Sequence, residues 1–165
     1  MRDPKNTEGL SADEVQFVQG IQQYDYAVTK VGVKGDEEGA RFAYSTGLYF
    51  RFRHPELLIY GLPFDSMLQV IDTLAYQVRA GKTYSVGIPY KDIFEERRCR
   101  FQPVDKIYYR DRLGASNWFY ESDKYPTLQI FWPDNAGLFP WDKGCDPAVR
   151  DAQPQLFRTL LDGRT

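Results

Sequence analysis

The chain has 165 residues, 42% of them hydrophobic and 27% charged, with 21 basic against 23 acidic side chains for a formal net charge of −2. That describes one globular domain, residues 1–165, able to bury roughly 70% of its unfolded surface. The interspersed charges exclude a general field for nucleic acid or an anionic membrane. No apolar run approaches the roughly 20 residues of a membrane span. The polar opening MRDPKNTEGLSADE lacks the apolar segment of a signal peptide, so the location read from the sequence is cytoplasmic.

In chain order, residues 1–9 read as a frayed start. Ser11 then opens a helix as N-cap, with Glu14 three positions on and Leu10 placed to staple against Val15. Tyr26–Val33 reads as a strand, Gly35 to Gly39 as an acidic loop, and Arg41–Leu48 as the return strand of a hairpin. In that second strand Phe42, Tyr44, Thr46 and Leu48 share one face. Gly47 marks a bulge or a close approach of backbone. Leu57–Leu62 is an apolar run suited to a buried strand. Phe64–Ala80 is the clearest helix: Met67, Leu68, Ile71, Leu74, Ala75 and Val78 fall on one face. Asp65 or Ser66 is placed to cap its start and Gly81 its end.

Thr83–Tyr90 and Cys99–Tyr109 read as two further strands, joined by the charged connection Lys91–Arg98. Ala115–Glu121 reads as a short helix. The stretch LQIFWPDNAGLFPW, 128–141, organises the chain. Thr127–Trp132 is its central strand and stops at Pro133, which cannot donate to a ladder. Asp134 to Gly137 supplies a turn, and Phe139 and Trp141 return to the core. Asp146 caps a last short helix that Pro154 prevents from lengthening. The fold class is α+β: a mostly antiparallel sheet of five or six strands packed against two main helices.

Chemistry is harder to find. His54 is the only histidine, and Pro55 restricts it to an extended, pre-strand geometry. Cys99 and Cys145 suggest neither a disulfide framework nor a metal knuckle. Trp132-Pro133-Asp134 matches the letters of the mobile acid loop of protein tyrosine phosphatases. Cys145, however, is followed by Arg150 five positions on rather than six, with Asp146 and Pro147 where a phosphate cradle needs amides. No glycine-rich nucleotide loop or nucleophile elbow is present, so no cofactor is expected. Arg97, Arg98 and Arg100, beside Glu95 and Glu96, read as a solvated connection, with a phosphate or RNA contact as the alternative.

What remains is a set of polar and aromatic residues that can wall a pocket: Tyr44, Thr46, His54, Glu56, Gln129, Trp132, Asp134 and Trp141. Glu56 and Asp134 fall at strand ends, where loop residues converge. The plainer account is that Asp134 caps its own turn and Gln129 bonds within the sheet. The 12 tyrosines and 11 phenylalanines suit sheet faces first, and pocket walls or interfaces second.

FAYSTGL (42–48), HPELLIYGLP (54–63), FYE (119–121), LQIFWPD (128–134), GLFPW (137–141) and QPQL (153–156) together resemble a bacterial family of small domains of unknown function. Its signature runs YTxGL, HPEL, QxxWPD, FPW, and Ser45-Thr46 is this chain's departure from it. The likeness spans about residues 24–156. It implies a single α+β domain and no particular reaction. Lacking a nucleophile–base pair, the chain reads as a non-enzymatic module that binds another protein, as an immunity-type or regulatory partner. The alternative is a small-molecule ligand or substrate held around Glu56, Asp134 and His54.

Overall fold

The computed structural model describes residues 1–32, 41–94 and 97–157. Ser11 lies in extended backbone and its hydroxyl accepts from the Glu14 N–H, so α1 (Ala12–Tyr24) begins where its capping signal places it. β1 (Ala27–Val31) pairs antiparallel with β2 (Phe42–Thr46). The loop expected at residues 35–39 lies outside the described residues. After β2 come α2 (Leu48–Phe52), β3 (Glu56–Tyr60), α3 (Phe64–Arg79), β4 (Tyr90–Phe94) and β5 (Arg97–Pro103). A 3-10 turn, Lys106–Tyr108, leads into α4 (Tyr109–Arg112), then α5 (Gly114–Tyr120), β6 (Thr127–Phe131) and α6 (Pro147–Asp151).

The six strands form one sheet in the order β1-β2-β3-β6-β5-β4. Every pairing is antiparallel except β3 with β6. The α+β class and the central place of the Thr127 strand therefore stand as read. Alternation along the strands gives the sheet two apolar faces. Ala43, Leu57, Ile59, Phe101 and Ile130 pack on one side with Met67, Ile71, Leu74 and Val78 of α3. Phe42, Tyr44, Leu58 and Tyr60 pack on the other with Val18 and Ile21 of α1 and Phe119 of α5. Among the described residues, no helix is long and apolar enough to cross a membrane.

Several local expectations give way. Residues 83–89 form no strand: Gly87 takes φ 83 and Pro89 lacks an N–H, and Val86 and Ile88 stay half exposed. The Lys91–Arg98 stretch, read as a connection, instead supplies β4 and the start of β5, because β6 offers β5 a ladder partner. β5 ends at Pro103, and Asp105 then accepts the Ile107 N–H to open the 3-10 turn, so Cys99–Tyr109 is not one strand. The N-cap of α3 is Pro63 and no side chain caps it, neither Asp65 nor Ser66. The opening residues, expected to fray, lie against α5: the Arg2 N–H donates to Phe119 O at 2.8 Å and its guanidinium covers the Trp118 ring at 4.0 Å.

Gly47 joins β2 to α2 at φ 124, where an added Cβ would stand 2.5 Å from the Asp25 carbonyl oxygen and 2.9 Å from Tyr26 Cα. It marks a close backbone approach, and only glycine fits it. Gly47→Ala is expected to lower unfolding free energy by at least about 2 kcal/mol. Urea unfolding monitored by circular dichroism checks this, and an unchanged midpoint would contradict the assignment.

Candidate functional site

Glu56 is the first residue of β3 and is 1% exposed. Its carboxylate sits beneath the start of α2 and accepts the N–H groups of Gly47 at 2.9 Å and of Leu48 and Tyr49 at 3.2 Å. The Ser45 hydroxyl donates to it at 2.8 Å, and the Tyr120 hydroxyl donates a short bond while accepting the Phe50 N–H. These amides would otherwise be the orphan donors of the helix start. Burial pushes the Glu56 carboxyl above the ordinary carboxylate range, and the donors from Tyr120, Gly47, Ser45 and Tyr49 pull it back. This carboxylate holds α2 in place, which is why a helix forms where the sequence offers no capping side chain.

His54 is equally committed. Its Nε2 accepts the Tyr84 N–H at 3.1 Å, so the proton lies on Nδ1, which donates to the Pro55 carbonyl at 2.9 Å. It thus pins the segment after α3 to the start of β3. Burial holds its pKa below the ordinary value. Gln129 donates to Pro154 O and accepts from Leu156 N–H, drawing residues 154–156 onto the sheet. The Trp132 Nε1–H donates to Tyr60 O at 2.8 Å, while the Gln153 amide accepts from Trp132 N–H and donates to Trp132 O, as a neighbouring strand would. Tyr44 accepts the Ala115 N–H through its hydroxyl, and Thr46 shares a hydrogen bond with Ser116.

Asp134 lies just beyond β6. One carboxylate oxygen accepts Ala136 and Leu138 N–H at 2.9 and 2.8 Å, and the other accepts Asp146 N–H at 2.9 Å. These backbone donors hold its pKa below the ordinary carboxylate range. Asp134 therefore caps its own turn, as the plainer account has it, and ties that turn to the start of α6. Nearby Cys145 is buried, and its thiol is pushed up by burial and by the charge of Asp134, the opposite of the lowered thiol that phosphatase chemistry uses.

The eight residues singled out from sequence do not converge. Glu56 pairs in register with Thr127 at the start of β6, whereas Asp134 lies beyond Phe131 at its end. The length of β6, roughly 13 Å at about 3.3 Å per residue, lies between the two carboxylates. The sheet brings together a different group. At the carboxyl end of β6 an open cleft of about 460 Å³ is lined by Arg98 and Arg100 of β5, Pro89, the 133–137 turn, Phe139 and Asp142. Phe139 stacks on Trp141 at 5.3 Å, and Trp141 packs edge-on against Phe131 at 5.0 Å. The Arg100 guanidinium lies 5.5 Å from the Phe139 ring centre. Of the sequence candidates Asp134 lines this cleft, and Trp141 supports its wall.

Sequence reasoning picks out Arg98 and Arg100 only as part of a basic cluster, read first as a solvated connection and second as a phosphate or RNA contact, and leaves them out of the candidate pocket. The signal is present as alternation: in Arg98-Cys99-Arg100-Phe101 the basic residues occupy one strand face and the core residues Cys99 and Phe101 the other. Among the described residues no three His, Cys, Asp or Glu side chains gather as a metal-holding group.

Two outcomes test these roles. Glu56→Ala leaves the α2 amides unpaired, and is expected to cost at least about 3 kcal/mol in chemical denaturation. A loss under about 1 kcal/mol would show that the carboxylate does not hold the helix start. His54 has a folded pKa below its unfolded value, so its contribution is present above 6.5 and declines as pH falls below it, where the unfolded chain takes up a proton the folded one refuses. Subtracting the stability–pH profile of His54→Gln from that of the natural chain should isolate this decline. A flat difference would contradict the neutral, accepting role of Nε2.

Comparison of the chain with the curated proteins and with the solved structures finds no match. The profile of one family, described as Domain of unknown function (DUF4262), matches residues 20–146, most of the span over which the sequence motifs extend. With most of its length matched, the chain belongs to the DUF4262 family.

Proposed function

We propose that this domain acts by binding another protein rather than by catalysis, and that the partner enters the cleft at the carboxyl end of β6. One observation carries the reading: the polar groups best suited to acid–base work are already spent on holding the fold. Glu56 accepts the first amides of α2, His54 accepts the Tyr84 N–H, and Asp134 accepts three backbone N–H groups. A catalytic acid or base must reach a substrate proton, and each oxygen or nitrogen of these side chains already bonds a group of the chain itself. The cleft, by contrast, is open and rigidly walled by the Phe139–Trp141 stack. The alternative of a pocket joining Glu56, Asp134 and His54 loses support, since the length of β6 separates the two carboxylates.

The test is site-specific photocrosslinking in a lysate of the source organism. A benzophenone amino acid at Ala136, exposed on the cleft rim, is expected to give a discrete protein adduct. The same group at Tyr76, 68% exposed on α3, is expected to give none. Adducts at Tyr76 without any at Ala136, or no protein adduct at either, would overturn the reading.

A further inference from the structure

We infer that the cleft recognises an oxyanion, a single carboxylate or phosphate group gripped between Arg98 and Arg100. This rests on the reading that the cleft is the binding site, and it names the chemistry that fills it. Arg98 and Arg100 are two apart on β5 and so project from the same face of the sheet. Both line the cleft, and among the described residues neither has a carboxylate within ion-pair distance. Arg100 is held in another way. Its guanidinium faces the Phe139 ring, and among the described residues its buried Nε–H has no hydrogen-bond partner. An arginine lying over an aromatic ring keeps a planar fork of donors whose geometry matches a carboxylate or phosphate.

Two acids share the lining, and their engagement decides the ligand class. Asp134 is occupied by three backbone N–H groups, and Asp142 accepts the Phe139 N–H at 2.9 Å. Neither neutralises an arginine at contact distance, yet both reduce the longer-range positive field. Recognition therefore depends on direct contact with the guanidinium forks. That favours one compact oxyanion over an extended polyanion, whose affinity comes from summed charge. The chain's net charge of −2 points the same way.

Nitrogen-15 NMR titration of the whole chain tests this, using inorganic phosphate, succinate and a capped Glu-Glu-Glu peptide at matched chloride ionic strength. Saturable shifts are expected at the Ala136 and Gly137 amides. Arg98→Ala should weaken the affinity by about tenfold. Arg100→Lys, which keeps the charge and stem but loses the fork, should weaken it similarly. Lys124→Ala, beyond the opposite end of β6, should leave it unchanged. Tighter binding of the peptide than of succinate assigns the group to a protein partner. Equal or tighter binding of the free anions keeps the oxyanion site but assigns it to a small molecule. Absence of saturable shifts, or affinities unaltered by both arginine substitutions, overturns the inference. In that case the Ala136 crosslinking result still decides separately whether the cleft binds a protein.

Discussion

The parallel pairing of β3 with β6 is the constraint on which the rest of the structure depends. It joins two antiparallel halves, β1-β2-β3 and β6-β5-β4, into one sheet. Parallel neighbours cannot be linked by a tight turn, and here the route from β3 to β6 passes through α3, β4, β5 and two short helices. Both strands are buried at every position, as central strands covered on two faces must be. Because the strands run the same way, the segments entering them gather at one end of the sheet and the segments leaving them at the other. His54 and Glu56 fall at the first end, and Asp134 and the cleft at the second.

That division explains why residues with the look of an active site turn out to hold the fold. A buried carboxylate or imidazole costs free energy unless its hydrogen-bonding atoms are matched. Here each is matched by backbone. Glu56 serves the start of α2, His54 the segment entering Tyr84, Asp134 the turn after β6, and Gln153 the open edge of Trp132. All four replace a backbone partner that an irregular segment cannot supply for itself. The motifs HPEL, WPD and QPQL are thus three solutions to one problem, the satisfaction of main-chain groups where regular structure stops.

The cleft depends on the same segments. Asp134 shapes the turn that forms one side, and the stack of Phe139 on Trp141 fixes the wall against which Arg100 lies. An aromatic ring orients a guanidinium without consuming its in-plane donors. A carboxylate partner would have neutralised the same arginine. The aromatic richness of 128–141 therefore serves both core packing and the placing of the Arg100 guanidinium at the cleft.

Much of the fold is already dictated by local sequence. The Ser11 cap with Glu14 set the start of α1, the apolar stripe from Met67 to Val78 set α3, and Thr127 to Phe131 declared a central strand bounded by Pro133. Each is governed by interactions within a few residues or by one buried face, and so is visible as spacing. The α2 helix, the strand β4, the bounds of β5 and the separation of Glu56 from Asp134 were decided by tertiary structure alone. α2 forms because a carboxylate four residues beyond its end meets its first amides, and β5 because β6 arrives beside it. Arg98 and Arg100 carry the same lesson: a basic pair is a solvated surface or a binding fork depending on what the sheet places opposite it. That partner, the turn and aromatic stack of residues 133–141, lies more than thirty positions away along the chain. Spacing within a segment cannot encode the approach of a distant one, and here that approach formed the cleft.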